Sequence, residues 1–317
     1  MSAHRSIVLA LALLMDILIG DPPNRYHPVA WMGQAIGRAN KHAPHKGRVQ
    51  PFAFGAVLAT GGAAAVAGLG RLLVCIISHL PRPLAWIAEA TILKMTFSWR
   101  GLHQAATHIE TALVSDNLPA ARQLLSWHLV SRDTSQLDMS QVSAATVESV
   151  AENTSDGIVA PLFYYTIGGL PAALAYRFLN TCDAMLGYHD AEHEWLGKAP
   201  ARLDDVANLL PARLTAALLA AAADLVGENA ARALHIWQRD AGKTASPNAG
   251  HPMSVMAGAL DVELEKVGHY KLGAGQKSAQ PTDIGRSLRV MNMATLLAAA
   301  TFISLPVLMR LGRRGKG

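Results

Sequence analysis

Cysteine is scarce in this chain of 317 residues, which contains only Cys75 and Cys182. Two cysteines exclude a disulfide framework and a zinc site built from cysteines. Charged residues are also few, at 16% of the chain, whereas hydrophobic residues make up 51%. This balance is too apolar for a soluble enzyme of this size and predicts a membrane protein.

The chain also lacks the motifs that mark common catalytic and nucleotide-binding sites. It contains no Walker A sequence, no dinucleotide-binding glycine fingerprint, no HExxH and no nucleophile elbow. The net charge of +5 comes from Lys and Arg scattered through predicted loops without interleaved aromatic residues. We therefore expect no nucleic-acid partner, and any nucleotide chemistry must use an unusual site.

Apolar runs recur along the whole chain and predict an all-α, polytopic integral membrane protein with about 4–6 membrane segments, since a full span needs about 20 apolar residues. We expect one membrane-embedded domain over 1–317, with a soluble helical insertion at 100–157 and a soluble loop region at 227–289. The first apolar run is interpreted as a retained helix, because no small-residue cleavage site follows it. The candidate segments are Ile7–Gly20, Phe52–Leu80, Leu84–Trp99, Ile158–Leu179, Leu203–Val226 and Val290–Met309.

The segment Ile158–Leu179 is interrupted by the sequence Gly168-Gly169-Leu170-Pro171. The two pieces of about ten residues predict either a re-entrant pair of short helices or one kinked span. Loop 21–51 and the tail after Met309 are rich in Lys and Arg, which the positive-inside rule assigns to the cytoplasm. If all six segments were full spans, the tail would lie on the opposite side of the membrane from loop 21–51. At least one segment must therefore be re-entrant or peripheral.

A group of acidic and amide residues precedes that interrupted segment. Glu148 and Glu152 lie one helical turn apart, and Asn153 and Asp156 follow directly before the apolar run. Like charges at that spacing repel each other, so the pair favours a bound cation or amine. A solvated acidic helix face is the alternative interpretation.

A second polar group flanks the next apolar run and contains Asn180, Asp183, Arg202, Asp204, Asp205, Asn208 and Arg213. Ionisable side chains at membrane depth are costly, which makes them candidates for function. Carboxylate and amide oxygens can hold Mg²⁺, and arginine can bind phosphate through two parallel hydrogen bonds. Ion pairs between the arginines and the aspartates are the alternative.

Two further polar stretches are candidates for substrate binding. Arg239 precedes a turn that contains Ser246 and Asn248, and the backbone N–H groups of such a turn either bind an anion or only connect two elements. Asp21 and His27 lie near a predicted helix end, where helix capping alone would also explain Asp21.

The motifs, taken in order, resemble those of one family, the adenosylcobinamide-phosphate synthases of cobalamin biosynthesis, often called the CbiB/CobD family. The resemblance runs from Asp16 to about Leu260. Ser131 departs from it, because the family usually has Gly before the triplet Arg132-Asp133-Thr134. The other carriers include Gly20-Asp21-Pro22, His27-Pro28-Val29, Val147-Glu148, Ala151-Glu152-Asn153-Thr154, Asp156-Gly157, Asp183-Ala184-Met185, Ala201-Arg202-Leu203-Asp204-Asp205, Pro211-Ala212-Arg213-Leu214, Arg239-Asp240 and Ser246-Pro247-Asn248-Ala249-Gly250.

The resemblance implies an ATP-dependent ligase that joins (R)-1-amino-2-propanol O-phosphate, or free aminopropanol, to a carboxylate of adenosylcobyric acid. It implies ATP and Mg²⁺ as cofactors, the lipid bilayer as surroundings, and association with other membrane enzymes of the pathway as an option. We expect a multi-pass protein of the bacterial inner membrane with its active site on the cytoplasmic side. A small-molecule or corrinoid transporter with a broken-helix site and a non-catalytic scaffold are the competing interpretations.

From the chemistry of that reaction we assign a role to each group. Asp183, Asp204 and Asp205 are predicted to bind Mg²⁺, and Arg202, Arg213 and Arg239 to bind phosphates. The predicted catalytic carboxylates are Glu148, Glu152 and Asp156, with Glu152 or Asp156 as the base. The predicted substrate-binding residues are Asp21, His27, Asn153, Asn180, Asn208, Ser246 and Asn248, and all of these side chains are expected to share one pocket at the inner leaflet.

Overall fold

The structure is a computed structural model that describes residues 3–44, 46–187 and 194–314, with side chains described up to Ser304. Nearly all of the regular structure is helical, which confirms the predicted all-α class. The helices are α1 (Ala3–Leu18), α2 (Pro28–Asn40), α3 (Val49–Ile77), α4 (Arg82–Lys94), α5 (Trp99–Val114), α6 (Leu118–His128), α7 (Met139–Thr154), α8 (Ala160–Gly168), α9 (Leu170–Leu186), α10 (Lys198–Leu225), α11 (Ala230–Asp240), α12 (Gly250–Leu260) and α13 (Pro281–Arg314). The strands are β1 (Val262–Lys266), β2 (Tyr270–Leu272) and β3 (Lys277–Ser278).

The chain divides into two compact units. Unit 1 comprises Met1–Ser98, Ala160–Asn208 and Ala299–Gly317, and unit 2 comprises Trp99–Val159 and Leu209–Ala298. Unit 1 therefore contains most of the predicted membrane segments, and unit 2 contains both stretches that the sequence predicts to be soluble.

Three helices in the described part of the chain are long and apolar enough to cross a membrane: α3, α10 and the Pro281–Ser304 part of α13. They correspond to three of the six predicted segments. The other three segments form shorter helices: α1 with 16 residues, α4 with 13, and the pair α8 and α9 with 9 and 17. Only 11% of the most apolar window of α3 is buried, so most of its apolar surface is available to lipid.

The interrupted segment forms two helices, α8 and α9, that pack against each other in unit 1. Gly169 separates them with a φ of 71°, a left-handed conformation that favours glycine, and Pro171 lies in the first turn of α9. Arg5 donates hydrogen bonds of 3.1 and 3.3 Å to the carbonyl oxygens of Thr166 and Ile167. These bonds satisfy carbonyls that lose their helical donors at the break. At about 1.5 Å per residue α8 is about 14 Å long, well short of a bilayer.

Unit 2 contains a helical hairpin, a buried helix and a small sheet. Helices α5 and α6 pack together, and Asn117 caps α6 by accepting a hydrogen bond of 3.1 Å from the backbone N–H of Ala120. Residues 227–289, predicted as a loop region, contain α11, α12 and the sheet. The strand order is β2-β1-β3, with β1 antiparallel to β2 and parallel to β3. Helix α7 packs against β1 and α12.

Candidate functional site

The candidate site in unit 2 is built on α7, which is buried on all sides along most of its length. A capping box starts the helix, with Asp138 and Gln141 each accepting a hydrogen bond from the other's backbone N–H. The following run from Val142 to Ala151 is buried without interruption. A helix packed on every side must bury any polar residue that it carries, so the first residue of the acidic pair, Glu148, lies inside the protein.

A cavity of about 180 Å³ lies beside this part of α7. The hairpin of β1 and β2 forms part of its wall, because Lys266 and Tyr270 are directly opposite each other in the antiparallel register. The cavity thus brings together three parts of unit 2: residues 129–132, helix α7 and the sheet. Its lining residues are Leu129, Val130, Ser131, Arg132, Glu148, Ser149, Glu152, Lys266 and Tyr270.

Glu148 is the most buried charged group of this cavity, with 5% of its surface exposed. Its Oε1 atom has no hydrogen-bond partner among the described residues, and its Oε2 atom is 3.8 Å from Nη2 of Arg132. Burial raises the pKa of Glu148 to about 7; the charge of Glu152 adds to this effect, whereas Arg132, Lys266 and Tyr270 oppose it. Burial and the two carboxylates in turn raise the pKa of Tyr270, so its phenol stays neutral. A carboxyl group that ionises near neutral pH is suited to proton transfer.

The other predicted residues of this stretch are half-buried. Glu152 lines the cavity one turn beyond Glu148, as the helical spacing predicts. The amide of Asn153 donates a hydrogen bond of 2.8 Å to the backbone carbonyl of Ser149 in its own helix. Asp156 lies in a π-helical turn, Ser155–Val159, that follows α7 directly. Such turns often occur at functional sites because they change the direction in which side chains project.

In unit 1, polar residues of α9 and α10 form a hydrogen-bonded cluster around Asp204. Asn208 and Asn180 donate to the two Asp204 carboxylate oxygens at 2.9 and 3.4 Å, and Tyr176 donates to the side-chain oxygen of Asn208 at 2.9 Å. Asp204 and Asn208 are both buried. The cluster therefore unites three of the residues that sequence reasoning assigned to substrate or metal.

The environment of α10 also explains why Pro211 is tolerated within a candidate span. Proline has no N–H, so the carbonyl of Ala207 loses its helical donor. The hydroxyl of Tyr164 replaces it with a hydrogen bond of 2.8 Å, and the Tyr164 ring stacks on Tyr176 at 5.0 Å. Backbone groups freed at membrane depth need such partners.

The remaining acidic residues of the second group are more accessible. The charge of Asp183 acts on Asp204, which indicates that the two carboxylates are close. Arg202 is 3.8 Å from Asp205 but its side chain is 75% exposed, so this ion pair contributes little. Among the described residues no three Asp, Glu, His or Cys side chains form a ready-made metal site. Mg²⁺ needs only one or two carboxylates when phosphates and water complete its shell, so the assignment of these aspartates stays a prediction.

Arg239 holds a buried carboxylate in unit 2. Its Nε and Nη2 atoms each donate a hydrogen bond of 2.7 Å to Asp240, which is fully buried. Lys243 and the backbone N–H of Gly273 complete the shell of Asp240 at 2.6 and 2.7 Å. Burial alone would raise the pKa of Asp240, but these donors hold it well below its usual range. The contacts of Arg239 thus indicate a structural role.

The turn between Arg239 and α12 uses its own backbone donors. Ser246 Oγ accepts a hydrogen bond of 3.2 Å from the Asn248 N–H, and Thr244 Oγ1 accepts one of 3.1 Å from the Gly250 N–H. These two groups are therefore not available for the anion nest considered above. The Asn248 side chain is buried, and its oxygen accepts a weak hydrogen bond of 3.4 Å from Arg213. Arg213 and Asn248 are thus neighbours within unit 2.

Near the N-terminus, Asp21 takes part in an ionic cluster of unit 1 and does not cap α2. Helix α2 is capped by His27, whose Nδ1 accepts a hydrogen bond of 3.2 Å from the Val29 N–H. Asp21 accepts hydrogen bonds from Lys94 and Ser98, and its Oδ1 is 3.5 Å from His27 Nε2. Burial would raise the pKa of Asp21, but these partners hold it well below the usual range. The capping explanation for Asp21 is therefore wrong.

Of the nine lining residues of the unit 2 cavity the sequence predicted only Glu148 and Glu152 as site residues. The titratable residues that it did not assign to the site are Arg132, Lys266 and Tyr270. Arg132 belongs to the triplet Arg132-Asp133-Thr134, one of the motifs shared with the family, and this motif could have identified it as a site residue. Lys266 and Tyr270 belong to a short hairpin more than a hundred residues beyond α7, and no local pattern connects them to it. The expectation that all predicted site residues share one pocket stays a prediction.

Comparison with known proteins gives a consistent result over most of the chain. A model of the CobD/Cbib protein family matches residues 9–295. The cobalamin biosynthesis protein CobD of Dehalococcoides mccartyi (strain CBDB1) is 42% identical over 288 residues, which is 91% of this chain and 93% of that protein. CobD of Klebsiella pneumoniae is 39% identical over 92% of this chain and 95% of its own length. CbiB of Salmonella choleraesuis is 37% identical over 93% and 95%, and no solved structure matches.

Proposed function

Because this chain belongs to the CobD/CbiB family and has a role in cobalamin biosynthesis, we propose that it is the ligase that forms adenosylcobinamide phosphate. Its substrates are adenosylcobyric acid, an aminopropanol or its O-phosphate, and ATP. The observation that carries the proposal is the cavity at Glu148, where an acid pair, Glu148 buried and Glu152 half-buried, meets two cations. An amine-binding, proton-accepting site is what amide formation requires.

Amide formation from a carboxylate needs activation, because the carboxylate oxygen is a poor leaving group. In the proposed reaction the corrinoid carboxylate oxygen attacks the γ-phosphorus of ATP, the bond to ADP breaks and an acyl phosphate forms. The amine nitrogen, after losing one proton from its ammonium form, attacks the acyl carbon. The carbon–oxygen bond to phosphate then breaks, and the departing phosphate takes the second proton from nitrogen.

Glu148 and Glu152 are the proposed acceptors for the first of these protons. A carboxylate with a pKa of about 7 is ionised in part at neutral pH and can take a proton from an ammonium group beside it. The single negative charge of Glu152 next to it favours binding of that ammonium group. Asp156, which follows in the π-helical turn, remains a proposed third carboxylate of the site.

The cluster around Asp204 supports a proposed Mg²⁺ site with Asp183 and Asp205. The carboxylates fit such a site, because Asp183 lies close enough to Asp204 to influence it and carboxylate oxygens are ligands that Mg²⁺ prefers. The amide N–H groups of Asn180 and Asn208 donate to the Asp204 carboxylate and hold it in place. Bound Mg²⁺ would neutralise negative charge on the phosphates of ATP. Arg202, whose side chain is exposed, is the arginine best placed to reach a phosphate from solvent.

A cytoplasmic location for this part of the molecule is supported by charges at the starts of two candidate spans. Arg48, just before α3, and Lys198, at the start of α10, both lie over the ring of Trp195, at 5.2 and 4.4 Å. Both spans therefore begin on the same side, and positive residues favour the cytoplasm. Asp204 lies six residues into α10, about 9 Å from that end. We propose the bacterial inner membrane as the location.

The test is an assay of the purified protein in detergent with adenosylcobyric acid, aminopropanol phosphate, ATP and Mg²⁺. We expect amide product with one ADP and one phosphate released for each amide. Glu148→Gln and Glu152→Gln should lower turnover by at least about a hundredfold, whereas Glu265→Gln, on the exposed side of β1, should keep it. Corrinoid uptake into vesicles without amide formation would contradict the proposed ligase function and indicate a transporter instead.

A further inference from the structure

The unit 2 cavity is too small for a corrinoid or a nucleotide. Its volume is about 180 Å³. Pockets for drug-sized ligands occupy about 300–1,000 Å³. Of the three proposed substrates, only the amine is small enough to enter it completely.

The charges that line the cavity divide into a cationic and an anionic pair. Arg132 and Lys266 supply two positive charges, and Glu148 and Glu152 supply up to two negative ones. With both acids ionised these four charges cancel, so the cavity offers a cationic pair to an anionic group and an anionic pair to a cationic group. An amine that also carries a phosphate complements both pairs, whereas a free amino alcohol carries only the cationic group and leaves the cationic pair without an anionic ligand group.

The donors and acceptors also match the two ends of such a molecule. Oε1 of Glu148 is buried without a hydrogen-bond partner among the described residues, and an ammonium group could donate to it. The side chain of Arg132 is 29% exposed, and its guanidinium can present two parallel N–H groups to a phosphate. Its distance of 3.8 Å from Glu148 is longer than a hydrogen bond, so this ion pair leaves donors of Arg132 available.

We propose that this cavity is the subsite for the amine substrate and selects the phosphorylated form, with Arg132 and Lys266 on the phosphate and Glu148 and Glu152 on the ammonium group. The inference rests on the proposed function, because it takes the amine as one of the substrates. The reacting nitrogen then lies at the acid pair on α7, and the phosphate lies toward the β1–β2 hairpin. Arg132 and Lys266 act as specificity-determining residues.

The experiment compares two probes, aminopropanol phosphate and free aminopropanol, by calorimetric binding and by kcat/KM in the amide assay. The variants are Arg132→Gln and Lys266→Gln, and Lys271→Gln on the neighbouring strand is the matched control, because Lys271 pairs with Glu263 and Glu265 outside the cavity lining. We expect the wild type to bind the phosphorylated amine more tightly. Each cavity variant should weaken binding and kcat/KM for that amine by about tenfold to a hundredfold.

The same variants should change binding and kcat/KM for free aminopropanol by less than about threefold, and Lys271→Gln should behave like the wild type. Arg132→Lys should retain part of the phosphate preference, because it keeps the charge and loses the fork of parallel donors. An equal loss for both amines would indicate a structural role and overturn the inference, as would no saturable binding of aminopropanol phosphate to the wild type. Amide formation without any phosphate preference would overturn the inference alone, whereas absence of amide product would overturn the proposed function.

Discussion

Replacing Glu148 by Gln separates the effect of its charge from the effect of its shape. The side chain is almost completely buried, and its nearest cation, Arg132, is 3.8 Å away. Burial raises the pKa of Glu148 to about 7 from an ordinary value of 4.5; Glu152 adds to this, and Arg132, Lys266 and Tyr270 oppose it. Gln has nearly the same size and no charge at any pH.

The expected magnitude follows from the two pKa values. Between pH 4.5 and pH 7 the folded protein holds a proton that the unfolded chain has released, so the free energy of unfolding falls as pH rises through this window and is constant above it. At about 1.36 kcal/mol for each pH unit, the upper limit is about 3.4 kcal/mol. Because hydration and small rearrangements relieve part of this penalty, we expect about 1–3 kcal/mol.

The assay is thermal unfolding in detergent, followed by tryptophan fluorescence at pH 5 and pH 8. The melting temperature of Glu148→Gln relative to the wild type should rise by a few degrees, on the order of 2–6 °C, between these pH values. Glu152→Gln should move the midpoint of the wild-type pH dependence to lower pH, and Arg132→Gln should move it to higher pH. The same difference in melting temperature between Glu148→Gln and the wild type at both pH values would refute the reasoning.

Two further substitutions test packing and charge pairing. Gly62→Ala places a methyl group 2.2 Å from the ring of Phe178 and should lower the free energy of unfolding by about 1–3 kcal/mol in the same melting assay. The control is Gly61→Ala in the same helix, whose added methyl group meets nothing within 4 Å and should be neutral or slightly stabilising. Arg239→Ala removes two hydrogen bonds from the buried carboxylate of Asp240 and should destabilise the protein by about 2–4 kcal/mol. An unchanged melting temperature with a raised KM for ATP would instead assign Arg239 to phosphate binding.

Local sequence signals predicted a large part of the helical structure. The break at Gly169 depends on residues within a few positions of each other, so the sequence alone indicates it. The pairing of Glu148 and Glu152 on one cavity also follows from helical spacing.

The sheet and the residues that it brings to the cavity could not be predicted in this way. Strands β1 to β3 have only five, three and two residues and lie in a Gly-rich stretch, so the alternation of charged and apolar side chains in β1 and β2 is too short to distinguish them from a loop. The position of Lys266 beside Glu148 depends on packing between elements more than a hundred residues apart. The burial of Asp240 is likewise a tertiary effect, because the N–H of Gly273 that completes its shell comes from the end of the hairpin.

The two buried acids of unit 2 differ in a way that distinguishes structural from functional burial. Asp240 is surrounded by Arg239, Lys243 and a backbone N–H, so its charge is compensated within the protein. Glu148 has its nearest cation, Arg132, at 3.8 Å and one oxygen without a hydrogen-bond partner among the described residues, so its charge is compensated only in part. A buried carboxylate that is poorly compensated costs stability, and a ligand that carries a positive group removes this cost when it binds. The missing partner of Glu148 is therefore the strongest reason to expect the ammonium group of the substrate at this position.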